Sequence, residues 1–299
     1  MNARSVSGEG LWSIESPRPL APTLSPTGKG SALRLVARIR RTDLSAERTT
    51  LQNTIRRHAP FWISIFAGLA IWEVAGHSTS AAFMVPFSVT IVRLWQLVTG
   101  GNFIAQLIDS GKLFFAGFVL ALVVGVPLGM LLARVRTLRV GIEPYIMILY
   151  ATPMVALIPF ILSMMGFGFA PKVLVVFLFA VFPVLYNTVE GARSIKPELI
   201  EVAKSYRSTE WALWREVMLP YTLPYTMTGV RQAIGRALVG MIAAEFFLSS
   251  TGLGQLIMSA SQNFDTGGVF ASILIIGLIG VGLMRLGLMI ERHFARWRQ

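Results

Sequence analysis

The sequence contains no cysteine and only three histidines, at positions 58, 77 and 293. Without cysteine there can be no disulfide, no thiolate metal site and no cysteine nucleophile. Histidines so far apart argue against a metal cluster, which needs convergent ligands. The sequence also lacks the GxxxxGK(S/T) phosphate-binding loop. We therefore expect the chain to hold no metal and no cofactor, and to bind no ATP itself.

Charged residues are also scarce, at 14%, whereas hydrophobic residues make up 54% of the chain. Soluble domains contain ~25% charged and ~45–50% apolar residues. Six apolar segments approach the ~20 residues that cross the hydrocarbon core of a bilayer. They are residues 61–77, 113–133, 142–165, 173–190, 230–248 and 269–290. The predicted fold is all-α, a polytopic membrane helix bundle of about six transmembrane helices.

The N-terminal segment has a different composition. Residues 1–30 are rich in Ser, Pro, Gly and Thr, and they lack the apolar run that follows the basic stretch of a signal peptide. We predict a largely disordered cytoplasmic tail over 1–55 and a membrane domain over 56–299. Residues 31–41 fit two readings, a short basic amphipathic helix at the membrane surface or a solvated tail.

The net charge of +12 fits either nucleic-acid binding or a membrane protein with basic cytoplasmic loops. The positions of the charges favour the second. Most Lys and Arg lie on one side of a six-span bundle, in residues 1–60, 134–141, 191–231 and after 290. Arg93, Lys112 and Lys172 lie on the other side, and Arg236 and Arg285 lie within spans. Both termini are therefore predicted to be cytoplasmic, with no nucleic-acid partner.

Proline and glycine distinguish these spans from simple anchors. Proline in a membrane helix frees backbone carbonyls and bends the axis. Such prolines are Pro127, Pro144, Pro153, Pro159 and Pro183. Gly125 and Gly129 form a GxxxG face that permits close helix packing, so the pattern favours a bundle that moves. Segment 83–110 contains Pro86 and Arg93 and is predicted to be an amphipathic helix outside the membrane core.

Residues 191–229 form a loop much longer than the ~2–8 residues that usually connect helices. Pro197 suits the first turn of a helix, and Ser208 or Thr209 suits the cap of a second short helix. The apolar residues of that second helix are Trp211, Leu213, Trp214, Val217 and Met218, and Leu219-Pro220 is expected to end it. Two readings remain open, a structural loop packed on its own bundle and a docking surface for a soluble partner.

This loop resembles the cytoplasmic loop of binding-protein-dependent ABC importer permeases, in which Glu-Ala-Ala precedes a Gly, nine residues and Ile-x-Leu-Pro. Here Glu201-Val202-Ala203 precedes Arg207, nine residues and Val217-Met218-Leu219-Pro220. Residues 151–168, 182–195, 228–238 and 243–257 also resemble the sulfonate/nitrate/taurine group of these permeases. Two residues depart from the pattern, Val202 in place of Ala and Arg207 in place of Gly. An Arg held in the left-handed conformation at the end of the first helix would cost ~1 kcal/mol.

The resemblance implies a type I importer permease fold and a membrane subunit, not an enzyme, in a bacterial inner membrane. A second copy, most simply as a homodimer, would complete the pathway for a small solute such as sulfonate, nitrate or taurine. Two cytoplasmic ATP-binding subunits would dock on the loop, and an extracytoplasmic solute-binding protein would deliver the solute. The implied coupling residues are Glu201, Val202, Ala203, Arg207, Trp211, Leu219 and Pro220.

Three residues are candidates for the translocation path: Glu245, Pro153 and Pro159. A carboxylate within a span costs ~2.5–3.5 kcal/mol on insertion scales and usually faces inward with a partner. For Glu245 the sequence leaves open a contact with solute or a structural hydrogen bond near the outer end of the fifth span.

Two other function classes fit less well. An intramembrane enzyme would need a serine–histidine, paired-aspartate or metal arrangement, and the spans carry none. A secondary transporter usually has more spans and internal repeats.

Overall fold

The computed structural model describes residues 59–295, with side chains up to residue 292. The predictions for the tail 1–55 and its segment 31–41 lie outside these residues. The chain divides into a unit that ends at Ala67 and a unit that begins at Gly68. In the first, the described residues are the opening turns of a helix whose aromatic side chains Phe61, Trp62 and Phe66 are exposed.

Residues 59–295 form helices and turns and contain no strand. In chain order the elements are α1 (Ala59–Ser78), α2 (Phe87–Thr99), α3 (Phe103–Arg134), α4 (Arg136–Ala151), a 3-10 turn (Met154–Leu157), α5 (Ile158–Met165), α6 (Phe169–Arg193), α7 (Pro197–Ser205), α8 (Glu210–Ala212), a π-helical turn (Leu213–Met218), α9 (Leu219–Leu248), α10 (Leu253–Gln262) and α11 (Thr266–Ala295).

The number of membrane-spanning segments agrees with the sequence. Within the described residues, α1, α3, α6 and α11 are each long and apolar enough to cross a bilayer. Two bent pairs complete the six when each pair is one span. One pair is α4 with the 3-10 turn and α5, bent by 93°, and the other runs from Glu210 to Leu248 and on to α10, bent by 49°.

The second span begins earlier than predicted. Helix α3 starts at Phe103, ten residues before the predicted start, so the predicted extent of the amphipathic helix, 83–110, is wrong, although the helix found there is too short to be a seventh span, as predicted. Only α2 forms a separate helix there. The first turns of α3 carry the polar residues Gln106, Asp109 and Ser110, which lowered the apparent hydropathy. Gln106 accepts a hydrogen bond from the N–H of Gly252, and the Ser110 hydroxyl donates one to Glu245. These bonds allow both polar side chains to lie within a packed helix.

The third span is broken rather than kinked. Between α4 and α5 the backbone at Thr152 is extended, with φ −70° and ψ 132°. The following Pro153 explains this, because a proline ring disfavours the helical conformation of the residue before it and supplies no N–H. Pro159 then lies in the first turn of α5, where proline is well tolerated. The predicted single segment 142–165 is thus two helices bent by 93°.

The fifth span begins well before residue 230, because Leu219-Pro220 does not end the helix that precedes it. The helix passes from α8 through the π turn directly into α9, and Pro220 is the second residue of α9. The wider π turn accommodates the missing N–H of Pro220 and relieves the clash of its ring with the preceding turn. The second short helix of the loop and the fifth span therefore form one continuous helix from Glu210 to Leu248.

Helix α6 lies against both α9 and α3, and these three helices contribute most of the buried apolar core. The predicted glycine face of α3 is confirmed. A Cβ atom at Gly125 would lie 3.1 Å from Val184 Cγ1, and one at Gly129 would lie 2.9 Å from Thr188 Cβ. Thr188 in turn shares a hydrogen bond of 3.1 Å with Thr226 of α9. Small residues thus bring α3 close to α6, as in other membrane helix pairs.

Candidate functional site

The end of α7 has the geometry that the sequence singled out as costly. Arg207 has φ +55°, in the left-handed region where glycine is cheapest. Its N–H donates to Lys204 O at 2.9 Å, and the N–H of Ser208 donates to Ala203 O at 3.1 Å. These two bonds form a Schellman cap. Arg207 therefore takes the role of the glycine, with an expected strain of about 1 kcal/mol.

The second short helix begins as predicted. The Thr209 hydroxyl accepts a hydrogen bond of 3.2 Å from the N–H of Ala212, which satisfies one of the free donors at a helix start. Glu210 forms an ion pair with Arg134 at the end of α3. This ion pair connects the loop to the C-terminal end of α3.

One face of this loop is anchored in the bundle. Leu213 and Met218 are 2% and 4% exposed, and Met218 packs with Met130 of α3 and with Ile195. The Tyr221 hydroxyl donates to Ser194 O at 3.1 Å. Because the apolar residues of the π turn are buried here, the loop is held by packing and cannot swing independently of α3 and α9.

The opposite face is open. Val202, Tyr206 and Trp211 are 54%, 82% and 75% exposed. Glu201 is also exposed, and Ala203 lies half-buried beside it. Leu219 and Pro220, by contrast, occupy the start of α9, although Leu219 remains 45% exposed. The structure thus separates the predicted coupling residues into two groups. Those on α7, α8 and the turn between them, together with the exposed Tyr206, are here called the coupling face: Glu201, Val202, Ala203, Tyr206, Arg207 and Trp211. Leu219 and Pro220 join the loop to the fifth span.

At the far end of α9, Glu245 is only 2% exposed. It accepts hydrogen bonds from the Ser110 hydroxyl at 2.6 Å and from the N–H of Gly254 at 2.7 Å. Ser110 also accepts from the N–H of Leu253 at 2.7 Å. Gly252 has φ +108°, and a Cβ there would clash with Glu245 Oε1. This Glu245 cluster ties α3, α9 and the start of α10 together.

Of the two alternatives for Glu245, these contacts favour the structural hydrogen bond. Glu245 also lines a cavity of about 240 Å³ with Lys112, Lys172 and Ser249, so its surroundings are polar on one side. Sequence reasoning did not identify Ser110 as its partner. The only available signal was a serine in the first turns of a long apolar helix.

The break in the third span opens a second cavity, of about 310 Å³, lined by Pro153 and by residues of α4, α6 and α9. Here called the break cavity, it adjoins a third cavity of about 400 Å³, since Tyr150 and Phe182 line both. The third cavity extends to the charged residues Arg139, Glu143, Glu190 and Arg193. Pro159 does not line any of these three cavities. Sequence reasoning placed Arg236 in a span without a role, yet Arg236 lines the break cavity.

A family model described as "Binding-protein-dependent transport system inner membrane component" matches residues 125–296, more than half of the chain. The matched region runs from the glycine face of α3 through the coupling face and Glu245 to α11. It therefore contains every predicted site residue.

Individual relatives agree with this assignment. A Bacillus subtilis (strain 168) protein, SsuC, whose name describes an aliphatic sulfonates transport permease, is 32% identical over 77% of this chain and 84% of its own length. The riboflavin transport system permease protein RibX of Chloroflexus aurantiacus is 34% identical over 79% of this chain and 88% of its own length.

Among solved structures, one of the MetNI methionine ABC transporter in an inward-facing conformation matches with a TM-score of 0.57 and 17% identity. The match covers 64% of this chain and 95% of the transporter chain, and it supports the fold alone. The family match, the relatives and the six-span architecture lead to one conclusion: the chain belongs to the family of binding-protein-dependent transport system inner membrane components, the membrane permeases of ABC importers.

Proposed function

We propose that this permease imports a small solute by using the coupling face as the docking surface for two separate ATP-binding subunits, which hydrolyse ATP. The observation that carries the proposal is the two-sided character of residues 197–218. Leu213 and Met218 of the π turn are buried against the bundle, while Val202, Tyr206 and Trp211 are exposed. Contiguous apolar side chains exposed to water mark interaction sites, and exposed aromatic residues often dominate binding energy.

The continuity of α8, the π turn and α9 supports a mechanism for transmission. A displacement of α8 would move the start of α9 with it, because α8, the π turn and α9 are one continuous helix. At its other end α9 carries Glu245, which holds the outer turn. Helix α9 therefore links the cytoplasmic and outer sides, as alternating access requires.

We propose the remaining assembly by analogy with the family. Two copies of this chain, as a homodimer, enclose the pathway in the bacterial inner membrane, with both termini in the cytoplasm. An extracytoplasmic binding protein delivers solute to the outer side, and membrane lipid surrounds the bundle. The tail 1–55 is a cytoplasmic extension of the membrane domain 56–299.

The adjoining cavities along α4, α6 and α9 support a pathway through the broken span. We place Pro153 on this pathway, since it lines the break cavity. Pro159 acts indirectly by starting α5, and Glu245 fixes the outer turn next to the outer cavity. Sulfonates and nitrate are the solutes we favour.

The docking proposal is tested by replacing Trp211 with Glu, with the matched change Trp95→Glu on α2, where the tryptophan is 69% exposed. The tagged protein is purified from cells that co-express its ATP-binding subunit, and the bound ATPase activity is measured per permease. Trp211→Glu should lower it at least about tenfold, since a buried interface aromatic contributes about 2 kcal/mol or more. Trp95→Glu should leave it unchanged. Equal recovery with both variants would contradict the proposal.

A further inference from the structure

Arg236 is a cation in the middle of the fifth span. It lies nine residues from Glu245 on α9, which corresponds to about 14 Å along the helix axis. Its side chain is exposed, and it lines the break cavity beside Pro153 and Tyr150. A charged residue at this depth is costly and, in membrane proteins, usually faces a partner or a water-filled pathway.

Two other arginines of the bundle have carboxylate partners. Arg231, one and a half turns earlier on α9, pairs with Glu291 at 3.0 Å, and Arg193 pairs with Glu190 at 3.8 Å. Within residues 59–292, Arg236 has neither an ion pair nor a hydrogen bond. The guanidinium, which carries five N–H donors, is therefore available to a ligand in the break cavity.

The walls of the break cavity are suited to a small organic anion. Met154, Leu178 and Phe179 supply apolar surface, while Arg236 supplies the charge. Among the described residues no carboxylate lines the cavity, so none of them repels a negative ligand there. A volume of about 310 Å³ falls at the lower end of the range for small-molecule sites.

We propose that Arg236 and the break cavity form an anion-binding site on the translocation path, at which the guanidinium binds the oxyanion group of a small solute. The planar fork of arginine binds oxyanions in a bidentate manner. In a homodimer the two-fold axis would supply a second Arg236 from the partner copy, which would raise the positive potential of the pathway further. The inference rests on the proposed function only in treating the cavity as part of the pathway.

The absence of native cysteine permits a direct test. Val155 lines the break cavity and is 44% exposed, so Val155→Cys introduces one reactive thiol there. The full-length variant is labelled in proteoliposomes with an anionic reagent, 2-sulfonatoethyl methanethiosulfonate, and with a cationic one, 2-trimethylammonioethyl methanethiosulfonate. A cation several ångströms away should favour the anionic reagent, by a rate ratio on the order of ten after correction for intrinsic reactivity.

Arg236→Gln should reduce this ratio to about one. The matched control is Arg285→Gln, because Arg285 is also exposed within a span but does not line the cavity. Arg285→Gln should leave the ratio unchanged, and Arg236→Lys should retain most of it. In addition, sodium methanesulfonate should slow labelling when Arg236 is present, whereas the uncharged dimethyl sulfone, of similar size, should not.

Four results would overturn the site: a ratio unaffected by Arg236→Gln, an equal effect of Arg285→Gln, equal protection by methanesulfonate and dimethyl sulfone, or a thiol unreactive at both Val155→Cys and Met154→Cys. Protection by neither compound would count against anion binding and in favour of a carboxylate from a second copy. Labelling requires neither ATP nor a partner, so the site can fail while the docking of the ATP-binding subunit holds, and the reverse.

Discussion

Removal of one hydroxyl, by Ser110→Ala, should loosen the outer side of the permease. Ser110 is 1% exposed, donates to Glu245 and accepts from the N–H of Leu253. The variant removes a hydrogen bond to the buried carboxyl group of Glu245 and leaves the buried N–H of Leu253 without its acceptor, and each loss costs about 1–3 kcal/mol. We expect a total of about 3 kcal/mol, which corresponds to about a hundred-fold easier opening of the turn that leads into α10.

The measurement is amide hydrogen exchange of residues 249–256 in the purified full-length protein, followed by mass spectrometry. Ser272→Ala is the matched control. Ser272 is also 1% exposed, but its hydroxyl has no hydrogen-bond partner within the described residues. Removal of an unpaired buried hydroxyl should be neutral or stabilising.

Exchange of residues 249–256 should therefore accelerate about a hundred-fold in Ser110→Ala and remain unchanged in Ser272→Ala. Equal exchange in both variants would refute the structural role of the Glu245 cluster. Faster exchange throughout the chain in Ser110→Ala would also refute it, since the loss would then be global.

Three further outcomes follow from the geometry. Arg207→Gly should preserve ATPase coupling, because the relief of about 1 kcal/mol of left-handed strain is offset by the greater freedom of glycine in the unfolded chain. Arg207→Val should destabilise the cap of α7 by about 1 kcal/mol or more, measured by hydrogen exchange. Gly117→Leu should lower the melting temperature in detergent, because overpacking against Val176 destabilises the fold by about 1–3 kcal/mol. Gly111→Leu on the same helix should leave the melting temperature nearly unchanged, because no atom lies within 4 Å of a Cβ at that position. Glu201→Lys combined with Ala203→Trp should abolish substrate-stimulated ATPase activity but leave membrane insertion intact, and full stimulation in that variant would exclude the coupling face from transmission.

Hydropathy was sufficient to predict the number of spans, because each core segment must be continuously apolar to cross the bilayer. It misplaced the start of α3, because Gln106 and Ser110 are polar in composition but satisfied by contacts that no local window contains. The hydrogen bond between Ser110 and Glu245 joins residues 135 positions apart. Such pairs depend on the tertiary packing and cannot be predicted from one sequence alone.

Proline was the least predictable residue. The sequence treated Pro153, Pro159 and Pro220 as equivalent sources of bends or stops. In the structure Pro153 breaks a span, Pro159 begins a helix, and Pro220 is accommodated by a π turn within a continuous helix. The effect of each depends on whether neighbouring backbone groups find other partners, which local sequence does not determine.

The coupling face was predicted from the loop pattern, and its exposure in the structure is compatible with that prediction. Its departure from the family pattern at Arg207 also had a structural answer, since the residue adopts the left-handed conformation that glycine would take. Arg236 had no motif to mark it. Its significance depends on the break cavity, which exists only because the third span is broken beside α9.

The central claim, that residues 197–218 receive an ATP-binding subunit, is tested most directly by site-specific cross-linking. A single cysteine replaces Tyr206, which is 82% exposed, or, as the control, Trp95, which is 69% exposed. Each variant is treated with a photoactivatable thiol reagent in membranes that contain the ATP-binding subunit. We predict a cross-link from Tyr206→Cys to a chain that carries a GxxxxGK(S/T) loop, and none from Trp95→Cys. Equal yields at the two positions, or no cross-link from Tyr206→Cys, would contradict the account.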